Sequence, residues 1–481
     1  MAQLFDLSPE CVLHICSFLM GHPGEFKSLL YRSSSERQIS RKLNKPRTSA
    51  LNFSRTAKRY HAILYIESFR TVSISCTCGP SAQNLLSFLR LLHSANSSIA
   101  DSVRRLHLHV GSASWQGASD EDIRCIDPIA TSVGIDIWKP VMHGQIMLES
   151  LAFFLKSHGY AFCSFLAALL LLKTRKVGQL ILSLPRCEDF MTTARVWRWS
   201  NVKLSVLQSV ATKCPHGSNQ GHYMLPDEFG SWLLASAPTF SEWVMQGLYA
   251  NPPPDNITSL VLQKTGPNKF ELVGEVIKQC RNLAKFTFIW PTTDSPDDHA
   301  CPSQVVRALL CRASTLRTIC LDFALSKSRF RMPCQIVSFQ RFICLENLWL
   351  DVGAFQDAVI NIAPNSNGDE QWANSVIRRL PKSLKKLHLS GCPSSFMSDL
   401  SWLVEQHSLG QNQLEQIGLN NSGIAALEND QHGPKLVRTC KLPMICVVVV
   451  VFAVAVAVAV IVIAGSINLL GSVMCAIFVA G

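Results

Sequence analysis

Triplets of apolar residues with the spacing i, i+3 and i+5 recur along most of the chain. The last two residues of each triplet are two positions apart, so they point to the same face of a short β-strand. Each triplet therefore predicts a strand that is buried on one face. The middle residues of the nine predicted strands are Val72, Leu106, Leu180, Leu260, Phe286, Ile319, Leu348, Leu387 and Ile417.

The segments between these triplets carry a helical pattern. Apolar residues three and four apart predict helices over 84–93, 303–313 and 399–407. The apolar stretch 148–172 contains Lys156 and His158 near its middle, which favours a pair of buried helices over a membrane span. Alternating strands and helices predict an α/β fold in which the strands stack in parallel.

Short helices are predicted before residue 70. Ser8, Pro9 and Glu10 form a helix start, because serine caps, proline suits the first position and glutamate favours the positive helix end. Two apolar stripes with helical spacing follow. The first comprises Val12, Ile15, Cys16 and Leu19, and the second comprises Phe53, Ala57, Tyr60 and Leu64.

Residues 7–19 and 51–61 resemble an F-box of the fungal type. The first segment has a Leu-x-Pro-Glu start and a Phe-Leu end, and the second reads Leu-x-x-Ser-Arg-x-x-Lys-Arg. In that family the helices bind the small adaptor subunit of a cullin-based (SCF-type) ubiquitin ligase. Carried over by position, the resemblance implies adaptor contacts at Leu7, Pro9, Leu13, Ile15, Leu19, Leu51 and Ser54.

The chain departs from the F-box pattern in two ways. Ser8 separates the leucine from the proline, which follow each other directly in the family. Residues 31–50 add a basic insert between the two matching segments. Two interpretations of this insert stay open: a loop extruded from the small domain, which costs little entropy, or sequence that does not belong there.

The strand series resembles the irregular leucine-rich repeats of fungal F-box proteins. The middle residues of the last six triplets lie 26 to 39 positions apart, whereas such repeats usually span about 20–29 residues. The expected organisation is an F-box-like helical domain at 1–68 and a leucine-rich-repeat solenoid at 69–425. A basic linker at 426–443, a hydrophobic helix at 444–464 and an apolar tail at 465–481 would follow.

The charge of the chain is concentrated in one segment. Residues 27–59 carry ten of the 45 basic side chains and one acidic side chain, while the whole chain has a net charge of +11. The rest is nearly neutral, so no nucleic-acid partner is expected. The 18 cysteines are scattered and contain no Cys-x-x-Cys pair, which favours reduced core residues of an intracellular protein.

The run Met444–Ala464 is entirely apolar and is preceded by Lys435, Arg438 and Lys441. Its 21 residues are enough to cross a hydrocarbon core of ~30 Å as a helix. With the basic flank on the cytosolic side, the chain would be tail-anchored, its body facing the cytoplasm or nucleus. The alternative is that the run comes from misassigned coding sequence.

No pattern of residues predicts catalysis, a cofactor or a metal site. His107 and His109, and the acidic cluster Asp294, Asp297 and Asp298, are expected on solvated surfaces. The pair Trp197 and Trp199 is expected in a half-buried loop.

The resemblance implies a non-catalytic receptor that binds the adaptor through the F-box and an unidentified target protein through the repeats. The alternatives are a repeat scaffold with no link to a ligase, possibly attached to a membrane, and a membrane-anchored enzyme with an unrecognised site.

Overall fold

A computed structural model describes the protein in segments separated by gaps. The chain divides into two compact units, the first comprising 1–316 and 325–328 and the second 317–324 and 329–481. The described residues are 8–19, 36–55, 58–76, 79–94, 98–110, 117–143, 146–148, 150–183, 203–213, 236–246, 256–263, 270–290, 302–323, 338–351, 376–390, 397–420 and 438–441.

The first unit combines parallel strands with helices. Its helices are α1 (Pro9–Leu19), α2 (Glu36–Ser54), α3 (Lys58–Glu67), α4 (Gly79–Ser94), α5 (Ser98–Ser102), α6 (Asp120–Thr131), α7 (Leu151–Ser157), α8 (Gly159–Lys173), α9 (Phe270–Gln279) and α10 (Pro302–Leu309). Its strands are β1 (Thr71–Cys76), β2 (Arg105–Val110), β3 (Val141–His143), β4 (Ile146–Leu148), β5 (Gln179–Ser183), β6 (Ser209–Lys213), β7 (Glu242–Gln246), β8 (Ser259–Gln263) and β9 (Lys285–Ile289).

The second unit is smaller and repeats the same alternation. Its strands are β10 (Thr318–Asp322), β11 (Asn347–Asp351), β12 (Lys386–Ser390), β13 (Gln416–Asn420) and β14 (Arg438–Lys441), and its helix is α11 (Met397–Ser408). The β14 strand lies in the segment that the sequence assigns to a linker, and it pairs antiparallel with β13.

In the first unit, β1, β2 and β5 to β9 form the main sheet, and every neighbouring pair in it is parallel. Strands β3 and β4 form a separate antiparallel hairpin. Strands β10 to β13 of the second unit are parallel as well. The α/β fold and all nine strands predicted from the apolar triplets are therefore confirmed.

The sequence pattern missed two strands of the main sheet of the first unit, β6 and β7, and both strands of the β3–β4 hairpin. In β6 the third apolar position is taken by Thr212, which is 1% exposed. Its hydroxyl lies 3.4 Å from the indole Nε1 of Trp243, the second residue of β7. A buried hydroxyl is tolerated when it has a hydrogen-bond partner, so a threonine can stand where the pattern expects an aliphatic residue.

In both units the apolar triplets place a core against one face of the strands. The first and middle residues of every triplet are buried. In the first unit, β1 packs against α2 and α4. The predicted helix pair in 148–172 is confirmed as α7 and α8. Helix α8 packs against α4 and β2, and its Phe162, Phe165 and Leu166 are fully buried.

Two glycines end helices in the left-handed conformation. Gly134 (φ 83°) follows α6, and Gly410 (φ 69°) follows α11. After each glycine, the next backbone N–H donates to a carbonyl five residues earlier, Ile135 to Ala130 and Gln411 to Gln406. These bonds satisfy carbonyl groups that the helix end would leave unpaired.

The N-terminal region is helical, as predicted, but its boundaries differ from the sequence pattern. The basic insert is not an extruded loop over its whole length, because residues 36–50 form most of α2. The second apolar stripe, expected on one helix, is divided between α2 and α3.

Among the residues that the structure describes, no helix combines the length and apolar character needed to cross a bilayer. The predicted hydrophobic helix and the apolar tail lie outside the described residues.

Candidate binding surface

One residue of each strand lies between the two apolar positions that face the core, and it points to the opposite face of the sheet. We call these residues the intervening row, because strand register aligns neighbouring members. In the first unit the row is Ser73, His107, Ile181, Ala211, Val244, Val261 and Thr287. In the second unit it is Cys320, Trp349, His388 and Gly418.

The row of the first unit begins with polar side chains that pair with each other. The Nδ1 atom of His107 lies 2.9 Å from the Ser73 hydroxyl. His107 is 1% exposed, so its predicted place on a solvated surface is wrong. His109, which is half-buried, lies 3.2 Å from the Ser75 hydroxyl. The alternation of side chains along β2 correctly predicts that His107 points away from the face that carries the apolar triplet. The opposite face, to which His107 points, is covered as well.

The middle of this row is apolar and buried. Ile181, Ala211, Val244 and Val261 occupy four adjacent strands in register, and each is at most 1% exposed. They form one cluster with Ile289 and with Leu43 of α2. The basic insert of the sequence thus places a leucine on the sheet face that carries the intervening row.

The row of the second unit has a different chemistry. The rings of Trp349 and His388 stack with their centroids 4.3 Å apart and an angle of 22° between their planes. On the next strand, a Cβ atom at Gly418 would lie 2.5 Å from Nδ1 of His388. The glycine therefore leaves the space in which the imidazole lies against the tryptophan.

Burial lowers the pKa of His388, because a desolvated imidazole disfavours its charged form. Its Nε2 atom is buried and has no hydrogen-bond partner among the described residues. Both Trp349 and His388 are half-buried, so the stacked pair stays within reach of a partner.

The second unit also contains a cavity of about 470 Å³. Its charged lining residues are Arg378 and Lys382, and the guanidinium of Arg378 lies 5.4 Å from the ring centroid of Trp402. Four further lining residues carry side-chain amides: Gln340, Gln406, Gln411 and Asn412. Among the described lining residues there is no carboxylate.

The three N-terminal helices pack around a small apolar cluster, formed by Val12, Cys16, Ala50 and Leu64 with Phe53 against it. Burial raises the pKa of the Cys16 thiol to about 11, so this cysteine is a neutral core residue. The end of α2 therefore meets α1 in spite of the insert between the two F-box-like segments.

The residues predicted to bind the adaptor fall into three groups. Pro9 is exposed, and Leu13 is 40% exposed although its neighbour Val12 is fully buried. Ile15 and Leu51 are half-buried. Leu7 and the side chains of Leu19 and Ser54 lie outside the described residues.

Within the described part of the chain, no group of three or more histidine, cysteine, aspartate or glutamate side chains could hold a metal ion. The acidic cluster at 294–298 and the tryptophans at 197 and 199 lie outside it. No protein-family profile matches the sequence, and the comparison with curated proteins returns no match.

Sequence reasoning missed the contact between Leu43 and the sheet. Leu43 is one apolar residue in a basic stretch, and the next member of its cluster along the chain, Ile181, follows 138 residues later. The one local signal is that Leu43 and Ala50, seven residues apart, fall on the same side of a helix.

Proposed function

We propose that the protein is the substrate-recognition subunit of a cullin-type ubiquitin ligase. The N-terminal helices bind the small adaptor subunit, and the strand-and-helix units, interpreted as irregular leucine-rich repeats, bind a target protein. The chain performs no bond chemistry. Its contribution is proximity, because it raises the effective concentration of the target near the transferase.

The observation that carries the proposal is the arrangement of α1. One side of this helix packs on the three-helix cluster through Val12 and Cys16, while Leu13 is 40% exposed. A single exposed leucine is ordinary on a protein surface; Leu13 supports the proposal because it lies outside the cluster that α1 shares with α2 and α3, on a helix of the F-box-like segment. It is also one of the positions at which the F-box resemblance implies adaptor contact.

The test is capture of purified adaptor by the full chain, compared with two aspartate variants. Leu13→Asp places a charge in the proposed interface and should weaken adaptor binding by about 100-fold. Leu409→Asp is the matched control, because Leu409 is 61% exposed and belongs to the second unit. Absence of binding by the unaltered chain would leave a repeat scaffold without a ligase link as the better interpretation.

The proposal extends to the place of action. We propose membrane attachment through residues 444–464, with the remainder of the chain in the cytoplasm or nucleus. A chain that ends at residue 443 should move from the membrane fraction to the supernatant after alkaline extraction. Equal distribution of the two chains would contradict the attachment.

A further inference from the structure

The cavity of the second unit lies at the amino-terminal ends of three neighbouring strands. Its lining residues come from the segments that precede β11, β12 and β13 and from α11. All of them belong to the second unit, so one unit builds the whole cavity. Its volume of about 470 Å³ is within the range of about 300–1,000 Å³ that is typical of small-molecule sites.

Hydrogen bonds between its own walls frame the cavity. The side-chain nitrogen of Asn412 donates to the Leu403 carbonyl at 3.3 Å, and its side-chain oxygen accepts from the Leu414 N–H at 3.2 Å. These two bonds tie the segment before β13 to α11. The segment before β12 is tied to that before β11, because the Ser383 hydroxyl donates to the Leu345 carbonyl at 3.0 Å. The cavity is therefore a formed site.

The charged side chains that line the cavity are both cationic. The short 3-10 helix Ile377–Arg379 packs against α11 and places the Arg378 guanidinium 5.4 Å from the ring centroid of Trp402. This cation–π contact restrains the guanidinium. Lys382 is exposed and adds a second positive charge. Since no described lining residue is a carboxylate, the charge of the cavity favours an anion.

The remainder of the lining is suited to an apolar group. Apart from Ser383, the lining residues that carry neither a charge nor an amide are apolar, among them Ile343, Leu380 and Leu384. Ile343 is 68% exposed, which places it at the mouth of the cavity. A ligand with an apolar part would gain free energy by removing these side chains from water.

We propose that this cavity binds a small amphipathic anion, a molecule with one carboxylate or phosphate group on an apolar body. The anionic group meets Arg378 and Lys382, and the apolar body lies against Leu380 and Leu384. Guanidinium and ammonium groups bind carboxylates and phosphates alike, so these two head groups share one recognition chemistry. The inference goes beyond the proposed function, because neither the adaptor nor a target protein takes part in it.

The direct test is isothermal titration calorimetry of the full chain with three ligands that share one alkyl chain: octyl phosphate, octanoate and octanol. At least one anion should bind at least about 10-fold more tightly than octanol, because hydrogen bonds to charged groups are the stronger ones. The anion that binds more tightly identifies the head group. Octanol binding as tightly as both anions would overturn the proposal, as would no binding of either anion.

Two changes at the mouth of the cavity test its position. Ile343→Asp should weaken binding of the tighter anion by about 10-fold, whereas Ile343→Lys should strengthen it by about 3-fold. The high exposure of Ile343 makes both variants compatible with folding. The same two changes at Phe153, which is 53% exposed in the first unit, are the control and should leave the affinity unchanged. Equal affinities of the two Ile343 variants would overturn the assignment of the site.

Arg378→Gln tests the anion contact itself. This variant should bind the anion about 10-fold more weakly and bind octanol as the unaltered chain does. An equal loss for the anion and octanol would show that Arg378 only shapes the cavity, and it would overturn the proposed contact. Should this variant fail to fold, the Ile343 pair decides. None of these measurements uses the adaptor, so failure here and failure of adaptor capture are distinguishable.

Discussion

The two units share the apolar pattern along their strands, but they differ in the residues of the intervening row on the opposite face of the sheet. In the first unit the middle of the intervening row is aliphatic, fully buried and in contact with Leu43 of α2. In the second unit it holds Trp349 and His388, which stack on each other and remain half-buried. The alternation along a strand thus fixes where a side chain points, while the residue type at that position decides whether the face is core or surface.

The largest expected effect tests whether the first row is core. Val261 is fully buried, so Val261→Asp places an uncompensated carboxylate among aliphatic side chains. We expect a loss of about 3 kcal/mol or more in unfolding free energy, measured by urea denaturation. The matched change Trp349→Asp in the half-buried row should cost less than half as much. Equal losses would remove the distinction between the two rows.

A smaller effect is expected where Gly418 makes room for the stacked pair. Gly418→Ala brings a methyl group within 2.5 Å of Nδ1 of His388, which should cost about 1–2 kcal/mol. In the His388→Ala background the same change should cost almost nothing, which a double-mutant cycle by urea denaturation would reveal.

The control for this glycine comes from the first unit. Gly274 lies inside α9, where an added Cβ would meet only Ala308 at 3.9 Å. Gly274→Ala should therefore stabilise the protein, by about 0.5–1 kcal/mol, because alanine loses less backbone entropy in a helix. Additive effects at Gly418 and His388 would contradict the packing described for the second row.

The imidazole of His388, in the row of the second unit, should make the unfolding free energy depend on pH. Burial lowers the pKa of His388 in the folded state below its ordinary value of 6.5. Between the two pKa values the unfolded chain binds more protons, so stability falls as the pH drops below about 6.5. His388→Gln should remove this part of the pH dependence. Identical stability-versus-pH curves for the two chains would show that the imidazole is not desolvated.

The smallest expected effect concerns ion pairs on the surface of both units. Glu346 lies 3.6 Å from Arg317 and 3.8 Å from Lys385, and all three side chains are at least 35% exposed. Glu346→Gln in the second unit and Asp101→Asn in the first, which breaks the pair with Lys176, should each cost less than about 1 kcal/mol. A larger salt-sensitive loss in denaturation would assign a structural role to that pair.

The strands were the most predictable part of the molecule, because two apolar residues two positions apart fix a buried face within five residues. Thr212 shows the limit of this rule, since its polar side chain becomes compatible with the core through Trp243, 31 residues away. The candidate surface was harder to predict. The burial of His107 depends on what covers the opposite face, and no local spacing encodes the place of Leu43 in a cluster with residues of β5 to β9.

The antiparallel pairing of β14 with β13 bears on how molecules of this protein behave at high concentration. A sheet edge exposes a row of unpaired peptide groups, and a further parallel strand from another molecule could add to it. Along β13 that edge is already taken by a strand running in the opposite direction. Removal of residues 438–441 should therefore favour end-to-end self-assembly. We expect this short strand to limit polymerisation of the protein through its sheet edge.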